Sequence, residues 1–125
     1  VNGGLDVDDA AEKFVSVNFL STLFKNTFEE VAANSHHSKS FQIYVRGDDN
    51  WIRELVRRVV KANYSAVTLT VDSAFYGNRE RLNPAQLALR RVPAREWQKK
   101  ITWDTVKLIQ DEIGILQTTD GYLVQ

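Results

Sequence analysis

Residues 41–72 read FQIYVRGDDNWIRELVRRVVKANYSAVTLTVD, and they decide the fold. At the start, Phe41–Val45 is rich in aromatic and β-branched residues, which favour strands, and Ala66–Asp72 at the end has the same character. Between the two, apolar residues recur at helical spacing over Asn50–Lys61, after the turn residues Gly47-Asp48-Asp49. A strand, a helix and a strand in succession predict parallel pairing in an α/β fold, because the helix carries the chain back along the sheet.

The residues before this stretch show the same alternation. Val7–Ser16 has the pattern of a helix, and Val17–Ser21 has that of a short strand. Thr27 then precedes Glu30 at the spacing of a capping box, which predicts the start of another helix. We expect the polar residues Asn34–Ser40 to form the loop into the next strand.

Beyond the third strand the pattern is weaker. Ser73–Lys100 has no clear periodicity, and we expect it to be a long variable loop, a kind of segment that is usually functional or mobile. Thr102 is expected to cap a helix that runs to Ile113. The short run Gly114–Gln117 is a poor candidate for a fourth strand, and a last short helix is predicted over Thr119–Val124.

Composition narrows the functional classes. The chain has 125 residues, enough for one domain or a partial barrel, whereas a complete barrel of alternating strands and helices needs roughly 250. Its 16 basic and 16 acidic residues balance, so no overall field attracts nucleic acid. Cysteine is absent, which excludes disulfides and thiolate chemistry, and every apolar run is too short to cross a bilayer. We expect a soluble, cytoplasmic protein without a nucleic-acid or membrane partner.

Polar side chains gather toward the C-terminal ends of two predicted strands. Because successive strand residues point to opposite faces, Gln42 and Tyr44 share one face, as do Thr70 and Asp72. In parallel α/β folds this end of the sheet binds ligands. Arg79 follows in the next loop, and its guanidinium would suit a carboxylate substrate. Each residue alone is more often structural than functional, but together they predict one site.

Four segments carry a specific combination of motifs. They are Leu20-Ser21-Thr22 with Phe28-Glu29-Glu30-Val31-Ala32, then Phe41–Val45, then Leu69-Thr70-Val71-Asp72 with Tyr76-Gly77-Asn78-Arg79-Glu80, and finally Ile101-Thr102-Trp103-Asp104. In order and spacing they resemble the FMN-dependent 2-hydroxy-acid dehydrogenase and oxidase family, which includes glycolate oxidase, lactate oxidase and flavocytochrome-type lactate dehydrogenases. The resemblance covers nearly the whole chain but only the middle of the family's domain.

The resemblance implies a fold, a cofactor and a reaction. The fold would be α/β and about half of a TIM (β/α)8 barrel, with residues 1–125 forming a partial FMN-dependent dehydrogenase domain. The cofactor would be FMN, and Ser21, Gln42 and Thr70 would contact its isoalloxazine ring. The reaction would be the oxidation of small 2-hydroxy acids to 2-oxo acids.

The resemblance also implies roles in substrate binding and catalysis. Tyr44 and Arg79 would bind the hydroxyl and carboxylate of the substrate, and Asp72 would orient the imidazolium of a catalytic histidine. In the family that histidine lies on a later strand. His36 and His37 precede the second strand, at the opposite end of the sheet, and are interpreted as loop residues and not as metal ligands. We therefore expect very weak turnover or none from the isolated chain.

Other interpretations remain open. The family has a lysine before a Gly-Ile pair, whereas Glu112-Ile113 precedes Gly114-Ile115 here. Loss of that lysine favours a non-catalytic remnant that acts as a binding or interaction module, or an incomplete gene product without independent function. A half-barrel also has open sheet edges, through which it would form a homo-oligomer.

Overall fold

The computed structural model describes residues 3–24, 27–72 and 94–120. Its centre is a parallel sheet of three strands in the order β1-β2-β3, and a helix lies between each strand and the next along the chain. The predicted α/β fold with parallel strands is thus confirmed. The strands are β1 (Asn18–Ser21), β2 (Lys39–Ile43) and β3 (Ala66–Leu69), and the helices are α1 (Gly3–Lys13), α2 (Phe28–Asn34), α3 (Asp49–Lys61), α4 (Ala94–Gln98) and α5 (Trp103–Asp120).

The apolar core lies on one face of the sheet, against α2, α3 and α5. Phe41 pairs in register with Leu20 of β1 and Val67 of β3, so these side chains form a row across the sheet. The ring of Phe41 packs on that of Phe28 in α2, with 4.8 Å between the centroids. The buried core comprises Leu20, Phe28, Val31, Phe41, Ile43, Val45, Ile52, Leu55, Val56, Val59 and Ile109.

The other face of the sheet is open at several positions. Phe19 is 65% exposed, and Ala66 and Thr68 are exposed as well. In a complete barrel this face is the interior, which side chains from all eight strands fill together. Within the described ranges, none of the helices combines the length and hydrophobicity that a bilayer-spanning segment requires.

Two helices begin at side-chain caps. The capping box predicted at Thr27 is confirmed: its hydroxyl accepts from the backbone N–H of Glu30 at 3.2 Å, and the Glu30 carboxylate accepts from the Thr27 N–H at 3.0 Å. Helix α3 begins one residue before the predicted Asn50, because the carboxylate of Asp48 accepts from the backbone N–H of Trp51 at 2.9 Å.

Strands β2 and β3 differ from their predicted bounds. β2 begins at Lys39, inside the predicted loop, because this lysine is only 4% exposed and its backbone continues the ladder to β1. β3 ends at Leu69 and not at Asp72. The backbone N–H of Thr70 still donates to the carbonyl of Ile43 at 3.0 Å, so the chains stay paired to that point.

Helix α4 lies within the predicted loop Ser73–Lys100, and this part of the loop prediction was wrong. Residues 73–93 lie outside the described part of the chain. The side chain of Gln98 is buried and donates to the carbonyl of Val45 at 2.7 Å, which fastens α4 beyond the end of β2.

Helix α5 is longer than predicted. Its cap is confirmed, because the hydroxyl of Thr102 accepts from the backbone N–H of Asp104 at 3.2 Å. The predicted end at Ile113 was wrong, whereas the poor strand pattern of Gly114–Gln117 agrees with the structure: the helix continues through Gly114, with no proline to stop it. Of the last predicted helix, Thr119–Val124, the first two residues belong to α5 and residues 121–124 lie outside the described ranges.

A buried carboxylate joins α3 to α5. Glu112 is 3% exposed and accepts from Arg57 Nε at 2.6 Å and from Arg53 at 2.9 Å. Burial alone raises the pKa of Glu112, but the hydrogen bonds and charges of Arg53 and Arg57 outweigh it and hold the pKa below its usual value. Glu112 is therefore ionised when folded and loses this pairing only in acid.

Helix α1 ends in a strained residue. The helix was predicted over Val7–Ser16 but ends at Lys13, where a Schellman motif closes it: the N–H of Ser16 donates to the carbonyl of Ala11 at 2.8 Å. Within this motif Val15 has a φ of 53°, the left-handed region, which a β-branched residue adopts only with strain. Its side chain is 94% exposed and offers little packing in return.

We predict that Val15→Gly stabilises the fold by about 1 kcal/mol, because glycine adopts a positive φ without strain. The measurement is the melting temperature, which should rise by about 4 °C for a domain of this size. Val17→Gly is the matched control, since Val17 is also exposed but has no positive φ, and it should lower the melting temperature. A fall for Val15→Gly would contradict the assignment of strain.

We also predict that Glu112→Gln lowers the free energy of unfolding at neutral pH by about 2 kcal/mol, because an amide cannot serve both guanidinium groups. The folded pKa is depressed, so this stability is present above the unfolded pKa and is lost as the pH falls through the folded pKa. The difference in the free energy of unfolding between wild type and variant should therefore disappear in acid. Urea unfolding at several pH values measures it. Glu96→Gln, which removes an exposed pair with Lys99, should change stability by about 0.5 kcal/mol or less. A gap that does not vary with pH would refute the pairing.

Candidate functional site at the C-terminal edge of the sheet

The three strands end at one edge of the sheet, and polar side chains lie there. In register, Ser21 at the end of β1 is opposite Gln42 of β2, and paired residues of parallel strands share a face. Gln42 is in turn opposite Thr68, which places Thr70 just beyond it toward the C-terminal end. Ser21, Gln42 and Thr70 therefore lie in a line across the three strands, on the open face.

A direct hydrogen bond links two members of this line. Nε2 of Gln42 donates to Oγ1 of Thr70 at 3.0 Å, and Thr70 is only 9% exposed. Since Oγ1 of Thr70 accepts this bond, its own hydroxyl proton remains available to a ligand. The carbonyl oxygen of the Gln42 amide points away from this bond and provides an acceptor.

Ser21 is held by the turn that follows β1. Its hydroxyl oxygen accepts from the backbone N–H of Leu23 at 3.1 Å, and its carbonyl accepts from the N–H of Phe24 at 3.0 Å. The hydroxyl proton of Ser21 is thus a second donor at the same edge.

Tyr44 follows β2 on the same face as Gln42. Phe41, Ile43 and Val45 are buried, whereas Gln42 and Tyr44 between them are only half-buried, which is the alternation of a strand covered on one side. The predicted shared face of Gln42 and Tyr44 is therefore confirmed.

Of the other two predicted site residues, the structure describes only Asp72. Asp72 is exposed and lies in a bend just past Thr70, at the same end of the sheet. Arg79 lies outside the described residues. The structure thus brings Ser21, Gln42 and Thr70 together, with Tyr44 adjoining them.

Two residues at this edge were not predicted from the sequence. Gln98 returns from α4 to the carbonyl of Val45, and no local pattern around it indicated this contact. Thr22 bonds to the backbone of β2 through its hydroxyl. The pair Ser21-Thr22 at a strand end could have predicted this contact, because serine and threonine hydroxyls readily form hydrogen bonds to nearby backbone groups.

A buried polar cluster occupies the opposite, N-terminal end of the sheet. Asp8 of α1 is fully buried and accepts from Asn18 at 3.0 Å and from the hydroxyl of Ser35 at 2.5 Å. Its carboxylate lies 3.5 Å from Nε2 of His37 and 3.9 Å from Nζ of Lys39. The cluster ties α1, β1 and the start of β2 together.

The histidines therefore lie where they were expected, away from the candidate site. His37 belongs to the buried cluster, and His36 is exposed, its backbone N–H donating to Glu12 at 3.4 Å. Across residues 3–24, 27–72 and 94–120, no three or more histidine, aspartate or glutamate side chains are grouped as ligands of a metal ion.

Comparison with known proteins identifies similar sequences. A family model described as FMN-dependent dehydrogenase matches residues 2–110. Glycolate oxidase 3 from Oryza sativa subsp. indica is 35% identical over 103 residues, covering 78% of this chain and 28% of that protein. A 2-hydroxyacid oxidase from Dictyostelium discoideum is 36% identical over 78 residues, covering 62% of this chain and 20% of that protein.

A solved structure of a mandelate oxidase variant has the same local fold. It superposes with a TM-score of 0.72 at 29% identity, covering 87% of this chain and 33% of that one. The chain thus spans between a fifth and a third of the length of these relatives. The similarity, together with the parallel strands and their helices, confirms the predicted partial (β/α)8 barrel.

We predict that Thr70→Val shifts the side-chain amide resonances of Gln42 in an NMR spectrum, because the amide loses its acceptor, and destabilises the fold by about 1 kcal/mol. Thr68→Val is the matched control. Thr68 lies two residues earlier, in β3, but its hydroxyl contacts Ser40 at 3.1 Å and not Gln42, so the amide resonances should stay in place. Unchanged Gln42 resonances in Thr70→Val would show that the bond does not form.

Proposed function

The chain belongs to the FMN-dependent dehydrogenase family, and on this basis we propose that it carries the flavin-ring part of a site that oxidises small 2-hydroxy acids to 2-oxo acids with FMN. The observation that carries the proposal is the line of Ser21, Gln42 and Thr70 across the C-terminal edge of the sheet, with its hydrogen bond at 3.0 Å. Ligands of parallel α/β folds bind at this edge.

The groups at this edge fit the polar edge of an isoalloxazine ring. That ring offers carbonyl and ring-nitrogen acceptors together with one N–H donor. The hydroxyl protons of Ser21 and Thr70 are available to such acceptors, and the amide oxygen of Gln42 is available to such a donor. When bound, FMN would accept the two electrons that leave the substrate as its alcohol carbon becomes a carbonyl.

Three further residues would bind or orient groups at the substrate. Tyr44 lies on the same face as Gln42 and would hold the substrate's hydroxyl group. We assign the carboxylate to Arg79, whose guanidinium can bind it through two parallel hydrogen bonds. We assign Asp72 the role of orienting a protonated base.

The base itself is the missing part. The chain contains two histidines, and both lie at the N-terminal end of the sheet, His37 within the Asp8 cluster. Neither reaches the C-terminal edge, so this chain alone should bind flavin without efficient turnover. We propose that complete catalysis requires a base from outside these 125 residues.

The test is to purify the chain, titrate it with FMN and follow quenching of flavin fluorescence. We expect binding by the wild type and an affinity lower by about tenfold in Gln42→Leu, the equivalent of about 1.4 kcal/mol. Gln110→Leu on the exposed side of α5 is the matched control and should bind FMN as the wild type does.

Anaerobic addition of glycolate or lactate to the FMN-loaded chain then separates binding from chemistry. The flavin absorption should persist, because neither histidine of the chain lies at this edge. Rapid bleaching would refute the proposed absence of turnover, and equal FMN affinity of wild type and Gln42→Leu would refute the proposed site.

A second candidate function is an interaction module, in line with the open side of the sheet. β1 lies at the edge of the described sheet, and Phe19 on its open face is 65% exposed. This function predicts self-association without flavin binding. Sedimentation of the FMN-free chain as a monomer would argue against a homo-oligomer.

A further inference from the structure

Thr22 stands where β1 leaves the sheet but β2 continues. After Ser21 the backbone turns away, with the Ser21 carbonyl bonded to Phe24 and no longer directed at β2. The next backbone N–H on this side, one residue past the end of β2, is that of Tyr44. The hydroxyl of Thr22 accepts from it at 2.9 Å and so replaces a missing strand residue.

The same residue also holds the other side of Ile43. The carbonyl of Gln42 accepts from the Thr22 backbone N–H at 2.9 Å and from the Thr22 hydroxyl at 3.3 Å. The Thr22 hydroxyl donates its one proton to the Gln42 carbonyl, and a lone pair on the same oxygen accepts from the Tyr44 N–H. Both hydrogen bonds can therefore form at the same time. Thr22 thus fixes the backbone of β2 on both sides of its last residue.

We propose that Thr22 is a positioning residue for the site, acting through Gln42 and Tyr44. The proposal rests on the proposed function, because Gln42 would contact the flavin ring and Tyr44 the substrate. Binding sites depend on such supporting contacts, since displacement of a ligand-contacting group by a fraction of an ångström weakens its interactions.

The chemistry of the side chain makes the proposal specific. Valine has nearly the shape of threonine but cannot accept from Tyr44, whose N–H would then lack a partner in a half-buried position. Serine keeps the hydroxyl and loses only a methyl group. Thr22→Val should therefore disturb the backbone at Gln42 and Tyr44, and Thr22→Ser should preserve it.

A third variant controls for loss of stability alone. Thr27→Val removes the cap of α2, which should destabilise the fold by about 1 kcal/mol. Thr27 bonds to Glu30 and Val31 and not to Gln42 or Tyr44, so its replacement should leave the C-terminal edge of the sheet in place.

The experiment measures hydrogen exchange of the Tyr44 amide by NMR and FMN affinity by fluorescence quenching, in the full chain. In Thr22→Val we expect Tyr44 exchange to accelerate about fivefold relative to core amides and FMN affinity to fall by a similar factor, the equivalent of one hydrogen bond. Thr22→Ser should stay within about twofold of wild type in both. Thr27→Val should show neither local change.

The outcomes separate this proposal from the proposed function. If wild type does not bind FMN, the proposed function fails, and the Tyr44 exchange rate alone decides whether Thr22 holds the strand end. If Thr22→Val exchanges as wild type does, or Thr22→Ser fails to restore the wild-type values, the role of the hydroxyl is refuted. If exchange accelerates but FMN affinity does not change, Thr22 is a structural residue only and its role in the site is overturned.

Discussion

The structure depends on two parallel ladders with a shared register, in which Phe41 lies between Leu20 and Val67. Parallel pairing requires a crossover connection between each strand and the next, and here each connection contains a helix that packs on one face of the sheet. It also directs every strand toward the same edge. The register therefore sets both faces of the sheet: the apolar side chains of Leu20, Phe41 and Val67 face the helices, and Ser21, Gln42 and Thr70 face the open side. A shift of one residue in a strand would exchange its two faces.

The two ends of the sheet therefore differ in how their polar side chains are used. At the N-terminal end a charged and polar cluster is largely buried, and Asp8 within it contacts Asn18, Ser35 and Lys39. At the C-terminal end Ser21, Gln42 and Thr70 retain unused donors and acceptors. Internal bonds hold the residues of the first end together, whereas the second end retains hydrogen-bonding groups for a ligand.

Much of the fold could be predicted because its signals are local. The apolar spacing of α3, the capping box at Thr27 and the composition of β2 and β3 each depend on neighbouring residues. Lys39 was misread because its burial depends on Asp8, far away in the sequence. The end of α5 was misplaced at Ile113 because a short apolar run such as Gly114–Gln117 fits strand and helix equally, and the pairing of Glu112 with two arginines of α3 is a long-range contact. In the site, residue types indicated Gln42 and Thr70, but their bond required the register.

The Asp8 cluster has a consequence for how much of the chain is needed to fold. Lys39 is almost completely buried at the start of the central strand, and the carboxylate within 3.9 Å of its ammonium comes from α1. A shortened version that begins after α1 would leave this cation buried without its counterion, which is strongly unfavourable. Helix α1 is therefore part of the minimal folding unit. Boundaries chosen for expression, or for transplanting this sheet into another barrel, must include it.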